Sequence, residues 1–334
     1  MASRPPAPAS DPPYNIVFMG TPELAARILE VMLQQHHPGW RVVGGVTRPD
    51  QPRGRGLGVA PSPVAVVCAR HGVPALKPRA LGSREFLSQL TGWAPDYLVV
   101  AAYGRILPRA VLDLPRGLPI NVHASLLPRL RGAAPIQGAL LAGDRQTGVT
   151  IMRVVERLDA GPILLQRRLE ILPDDTCASL STRLADLGAQ AVLEALEELI
   201  AGRLAEMPQD ESQATYTALV KKADARIDWT LPAVQIERMV RAYYPWPIAH
   251  ALLGGEEVRI YGATPLAESY PGDAAPGTVV AVGRELVVRC GEGNLRLLEV
   301  QAPGRKRIKG EDFARGRRLV VGQSFDQLPP NSAA

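Results

Sequence analysis

Asn121 and His123 stand two residues apart at the end of an apolar run, in the stretch INVHASLLPRLRGAAPI (Ile120–Ile136). On a β-strand, residues two apart share a face, so both side chains would leave the strand together while Val122 turns into the packing. A carboxamide donates hydrogen bonds, and an imidazole donates or exchanges a proton near neutral pH. Together they suit a reaction that develops an oxyanion and moves a proton. A carboxylate to orient the imidazole is offered by Asp159 in ERLDAGPIL (Glu156–Leu164). The same residues also fit plainer roles, Asn as a turn or cap residue and His as a satisfied core side chain. Ser125 lacks the G-x-S-x-G elbow of a serine hydrolase, so a Ser-His-Asp reading is set aside.

The surrounding elements must carry these groups to one place. YNIVFMG (Tyr14–Gly20), RVVGGVT (Arg41–Thr47), DYLVVAAYG (Asp96–Gly104) and LPINVHAS read as buried strands. Helices lie between them: TPELAARILEVMLQQ, with Thr21 as the expected N-cap and Pro22 at the first position, and VAVVCARHG, closed by Gly72. Continuous apolar strands alternating with helices predict an α/β fold, a Rossmann-like, mostly parallel sheet with flanking helices. Ligands of such sheets bind beyond the carboxyl ends of the strands, where Gly20, Gly104 and His123 fall. The first turn, GTPELA, has one glycine where a dinucleotide fingerprint needs three, which excludes a nicotinamide dehydrogenase. Ala178–Gly202 reads as a long amphipathic helix, and the polar stretch after it as a linker. Beyond Trp229, a short helix (IERMVRAYYPWP) precedes EEVRIYGA, GTVVAV, ELVVRC and NLRLLEVQ, short strands with glycine turns that suggest a small barrel or sandwich. Trp246 is expected to pack in the core or between domains.

The chain's 334 residues are enough for two domains at ~100–200 residues each. No apolar run reaches the ~18 residues of a membrane span. MASRPPAPASDPP (1–13) reads as a disordered tail rather than a secretory signal. Three scattered cysteines, Cys68, Cys177 and Cys290, suggest buried thiols in a reducing cytoplasm, with no disulfide framework and no metal site. Net charge is +5, and Ala302–Arg318 alone holds seven basic residues against two acidic. That basic face, with Arg305, Lys306 and Arg307, is suited to a polyanion.

The stretch from Asn121 to Leu164 resembles the core signature of the 10-formyltetrahydrofolate-dependent formyltransferases. FMGTPELA, VTRPDQPRGRG with PSPV, PDYLVVAAYGRILP, ARIDWT, RAYYPWP and QAPGRKR are similar to the branch of that family that acts on tRNA, in order from about Asn15 to Gly322. The resemblance implies transfer of the formyl group of 10-formyltetrahydrofolate, as co-substrate, to the α-amine of methionine on initiator methionyl-tRNA. It implies Asn121, His123 and Asp159 as catalytic residues, Ser125, Leu126, Leu127 and Pro128 as folate contacts, and a basic loop over Thr47–Pro63 with Arg48, Arg53 and Arg55 for the tRNA. Leu57 and Gly58 replace the lysines usual after Gly-Arg-Gly, which shifts the expected tRNA burden toward the C-terminal basic face. Leu24 replaces an aromatic residue, a packing change. The expected layout is a disordered tail (1–13), a catalytic domain (14–203), a linker (204–222) and a smaller C-terminal OB-like β-barrel (223–334). A cytoplasmic monomer without metal or membrane contact is expected. Two other readings stay open: a formyltransferase for a small amine (an amino sugar or glycinamide ribonucleotide), and an RNA-binding protein with a degenerate core.

Overall fold

The computed structural model describes residues 13–53, 58–268, 270 and 272–327. The expected tail therefore lies outside the described residues except for Pro13. The chain divides into two units. The first runs through Pro135 and adds Gln146–Ile171 and Ser181–Ala218; the second takes Ile136–Arg145, Leu172–Leu180 and everything from Leu219 onward.

The first unit is built on a seven-stranded sheet. Its order is Ile163–Glu170, Gln146–Arg153, Pro119–His123, Tyr97–Ala101, Tyr14–Gly20, Trp40–Val46, Ala75–Leu76. Gln146–Arg153 runs antiparallel to both neighbours, and the other pairs are parallel. Tyr97–Ala101 and most of Tyr14–Gly20 are buried apolar runs because both faces are covered. On one face Val17, Met19, Val46, Leu98 and Val100 pack with Phe86 and Leu90 of the helix Arg84–Gly92. On the other, the long helix Cys177–Ile200 lies flush against the back of Pro119–His123. A Cβ added at Gly188 would sit 3.0 Å from Val122 and 3.3 Å from Ile28. The parallel register aligns Gly20 with Ala101 and Ala101 with Val122, so the carboxyl ends of three central strands finish level.

Two local expectations need correction. The helix after the first strand covers Glu23–Gln34 with Pro22 as its N-cap, and no side chain caps it. Thr21 instead donates its hydroxyl to the carbonyl of Tyr103, tying the first loop to the loop after Tyr97–Ala101. The stretch expected as a linker is no free connector either. Through Ala218 it belongs to the first unit: Met207 exchanges backbone hydrogen bonds with Ile163, and Tyr216–Thr217 pairs in parallel with Arg131–Gly132.

The second unit holds an antiparallel sheet in the order His250–Leu253, Glu256–Leu266, Asn294–Gln301, Val287–Arg289, Val279–Ala281, with Ile308–Lys309 beside Asn294–Gln301. Its two outer strands are joined by the C-terminal stretch. Val279 donates to the Gln323 carbonyl and Phe325 to that of Gly277, while Asp326 donates to the Leu252 carbonyl. The sheet thereby closes on itself as a barrel, filled by Trp229, Ile236, Val258, Ile260, Val288, Leu295 and Phe325. Trp229 and Phe325 meet at 5.2 Å between ring centroids. Trp246 does not join this core; it is 57 % exposed. All three cysteines are buried and none forms a disulfide. Burial pushes the Cys68 thiol up to about 11 and Cys290 up to about 12. Among the described residues no helix is long and apolar enough to cross a membrane.

Candidate active site

Pro119–His123 delivers Asn121 and His123 to one face, as strand periodicity requires. His123 is only 6 % exposed. Its Nε2 lies 3.0 Å from the carbonyl oxygen of Leu130. A carbonyl only accepts, so Nε2 carries a proton and Nδ1 is the nitrogen left to take one. Nδ1 faces Asp159 Oδ2 at 3.7 Å, longer than a direct hydrogen bond. The ring is thus oriented by its hydrogen bond to the Leu130 carbonyl rather than by the carboxylate, whose charge at that range suits a cation formed at Nδ1. Among the described residues, the Asn121 carboxamide takes no side-chain hydrogen-bond partner, which leaves its N–H groups free to donate to a reacting oxygen.

Asp159 is itself held tightly. Its Oδ2 accepts from the backbone N–H of Gly132 at 2.8 Å, and its backbone is left-handed, with φ of 48°. Gly132 has φ of 109°, and an added Cβ would run into the Thr217 carbonyl. Only glycine can bring that N–H to the carboxylate. The loop from Pro128 to Ala134 is clamped by the segment after the long helix. Leu130 N–H donates to Thr215 Oγ1 at 2.8 Å, and Ala134 N–H to Thr217 Oγ1 at 3.2 Å. Arg131 N–H donates to the Thr215 carbonyl.

At the centre of the clamp sits Arg131, fully buried. Its guanidinium donates to both oxygens of Glu211, at 2.9 and 3.1 Å, and to Tyr216 Oη at 3.2 Å. Arg157 also pairs with Glu211. The hydrogen bonds from Arg131, with a smaller share from Arg157, hold the Glu211 carboxyl down at about 2. A carboxyl depressed in the folded state contributes stability above its ordinary value of about 4.5, and that contribution fades as pH falls through about 2. Glu211→Gln is therefore expected to melt below the parent protein at pH 6, with the gap closing between pH 4.5 and 2. Thermal melts across that range test it, and a gap independent of pH would refute it.

The loop after His123 is densely hydrogen-bonded. Thr150, fully buried, donates to the Ser125 carbonyl at 2.7 Å and accepts from Leu127 N–H at 3.1 Å and Gln166 Nε2 at 2.9 Å. Gln166 also donates to the Leu127 carbonyl at 2.9 Å. Two residues expected on the folate rim turn inward. Ser125 is fully buried with its hydroxyl committed to the Arg129 carbonyl, and Leu127 packs with Met152 and Ile163. Leu126 and Pro128 remain half-buried. Exposed apolar side chains follow elsewhere: Ile106, just beyond Tyr97–Ala101, and Leu158, next to Asp159.

Of the expected tRNA contacts, Arg48 is exposed just past the carboxyl end of Trp40–Val46, with its guanidinium 3.7 Å from where a Gly104 Cβ would lie. Arg53 ends a short strand pair opposite Gly58, and Arg55 lies outside the described residues. Asp50, close to these cations in the sequence, is paired with Lys77 at 2.7 Å. In the second unit Arg305 and Lys306 are exposed. Arg307 lies 3.6 Å over the Tyr261 ring and 5.5 Å from that of Tyr244. Sequence reasoning missed Arg131, Thr150, Gln166 and the 207–217 clamp. A lone arginine in a polar stretch gives no periodic signal, though the run RLRGAAP did mark its place.

Family models match both parts of the chain: "Formyl transferase" over residues 14–196 and "Formyl transferase, C-terminal domain" over 219–318. Among curated relatives, a methionyl-tRNA formyltransferase of Methylococcus capsulatus is 49% identical over 92% of this chain and 98% of its own. Another, of Pseudomonas fluorescens, is 47% identical over 94% and 98%. Among solved structures, a sugar 3N-formyl transferase superposes with a TM-score of 0.64 at 13% identity, over 88% of this chain and 99% of that one. HypX from Aquifex aeolicus, solved with tetrahydrofolic acid, gives 0.59 at 18% over 96% and 50%. At such identities the structural matches establish shared fold alone. The family models and the near-full-length relatives go further: the chain belongs to the formyltransferase family, among its methionyl-tRNA formyltransferases.

Proposed function

We propose that the protein moves the formyl group of 10-formyltetrahydrofolate to the α-amine of methionine carried by initiator tRNA, supplying N-formylmethionyl-tRNA for translation initiation. The observation that carries the reading is the pairing of a proton-accepting Nδ1 with a carboxylate 3.7 Å away, beside a carboxamide on the same strand face that is uncommitted among the described residues.

An α-amine titrates near ~7.7–8.0, so a useful fraction is neutral and nucleophilic at physiological pH. As it adds to the formyl carbon, Asn121 donates to the oxygen gaining charge. His123 Nδ1 accepts the proton the amine must lose, and Asp159 stabilises the imidazolium that results. The same proton is then available to the departing nitrogen, so the ring ends neutral and the cycle closes.

The chain offers surfaces that suit a folate. Leu126 and Pro128 keep apolar area open on a braced loop, and Ile106 and Leu158 are exposed on flanking loops. A flat pterin would gain most from such contacts. Bound there, the folate supplies an activated formyl group on a leaving amine. Arg48 and the exposed Arg305 and Lys306 offer cations to phosphates of the tRNA. We further take the enzyme to act as a monomer in the cytoplasm, a reducing setting that suits three cysteines outside any disulfide.

Formyl transfer from labelled 10-formyltetrahydrofolate is to be measured on methionyl-tRNA beside free methionine and amino sugars. Transfer to the tRNA is expected, with its KM rising about tenfold or more between roughly 50 and 200 mM salt and the folate KM nearly flat. Transfer to an amino sugar with no salt response would replace this reading with that of a small-amine enzyme.

A further inference from the structure

Gln209 has only one way to face. Arg131 donates to its Oε1 from Nε at 3.0 Å and from Nη2 at 2.7 Å. The amide nitrogen must then point the other way, where it donates to the carbonyls of Asp159 at 2.8 Å and Gly161 at 2.7 Å. Those carbonyls bracket the turn that presents the Asp159 carboxylate. Asp159 is in the left-handed conformation, which aspartate tolerates better than most residues with a Cβ but still at a cost, so its contacts help to hold it there. Gly161 is equally constrained, since an added Cβ there would strike the Arg153 carbonyl. The turn is therefore held from two sides: Gly132 N–H takes the carboxylate, and Gln209 takes the backbone on either side of Ala160.

We propose that Gln209, aimed by the buried Arg131, is a positioning residue for Asp159 in formyl transfer. It touches no substrate; it fixes the spacing between the carboxylate and His123 Nδ1. The chain of contacts is short and fully polar: Glu211 and Tyr216 fix Arg131, Arg131 turns the Gln209 amide, and Gln209 holds the Asp159 turn. The segment following the long helix thereby becomes part of the catalytic apparatus. This inference rests on Asp159 acting in the reaction as described above.

Gln209→Glu isolates the effect. It keeps an acceptor for Arg131, so the clamp retains its centre, but it sets a carboxylate oxygen against the two carbonyls in place of a donor. In single-turnover formyl transfer to methionyl-tRNA, kcat is expected to fall about 10- to 100-fold, as small displacements of a reacting group do. KM for tRNA and folate should stay within about threefold. In the Asp159→Asn background the same substitution should add almost nothing, because the group it positions has already been disabled. A near-parental rate for Gln209→Glu, or a full further loss on top of Asp159→Asn, would overturn the positioning role. A parental rate for Asp159→Asn alone would overturn the catalytic reading and this inference with it.

Discussion

His123→Ala is expected to lower the rate of formyl transfer by about 100- to 10,000-fold, the range over which a positioned acid–base group operates. Alanine also strips the Leu130 carbonyl of its donor inside the site, at a cost of about 1–3 kcal/mol for an unsatisfied buried group. Part of any loss could thus come from a loosened loop. His123→Gln separates the two effects: its amide can still donate to Leu130, yet it cannot take a proton. A Gln variant that melts like the parent but turns over as slowly as the Ala variant assigns the loss to proton transfer. Turnover within about threefold of the parent would remove His123 from the chemistry.

The second large effect concerns charge on oxygen rather than a proton. Asn121→Ala removes a donor from an oxyanion site, which typically costs about 100- to 1,000-fold in rate. Asn121→Asp has nearly the same shape but opposes the developing charge, so it should be slower still. That ordering, read at saturating folate, is the discriminating result. If the Asp variant outperforms the Ala variant, residue 121 holds the loop and does not stabilise an oxyanion.

Both residues were legible because strand periodicity alone puts them on one face, and the apolar run before them marks the strand. The central strands were legible as apolar runs, with Tyr14–Gly20 and Pro119–His123 falling where the residues indicate, and the helices Glu23–Gln34, Pro63–Arg70 and Cys177–Ile200 by their own spacing, whereas Arg84–Gly92 was not read. What holds His123 in orientation was not. Leu130 contributes a backbone carbonyl, and no side-chain type announces such a role. Thr150 and Gln166 lie on neighbouring strands, where a polar residue inside a sheet looks like any other until its partner across the register is known. The part played by the stretch from Leu204 to Lys222 was harder to read for a clearer reason. Straps and linkers share a composition, polar and without period, and differ only in whether their partners, here residues near 131 and 159, are waiting elsewhere in the chain. Trp246 shows the converse: large aromatic surface favours burial, yet this ring stands in solvent.

The way the barrel is fastened bears on how the molecule is made. Residues 323–326 supply the last rungs between its two free borders, so during synthesis these borders stay unjoined until residue 326 has left the ribosome. The first unit has no such wait: all its residues have been translated by Ala218. Ribosome-bound nascent chains should therefore acquire a protease-resistant amino-terminal half well before the carboxyl-terminal half matures. A stop codon ahead of Gln323 would leave two unpaired strand margins open to association with other chains.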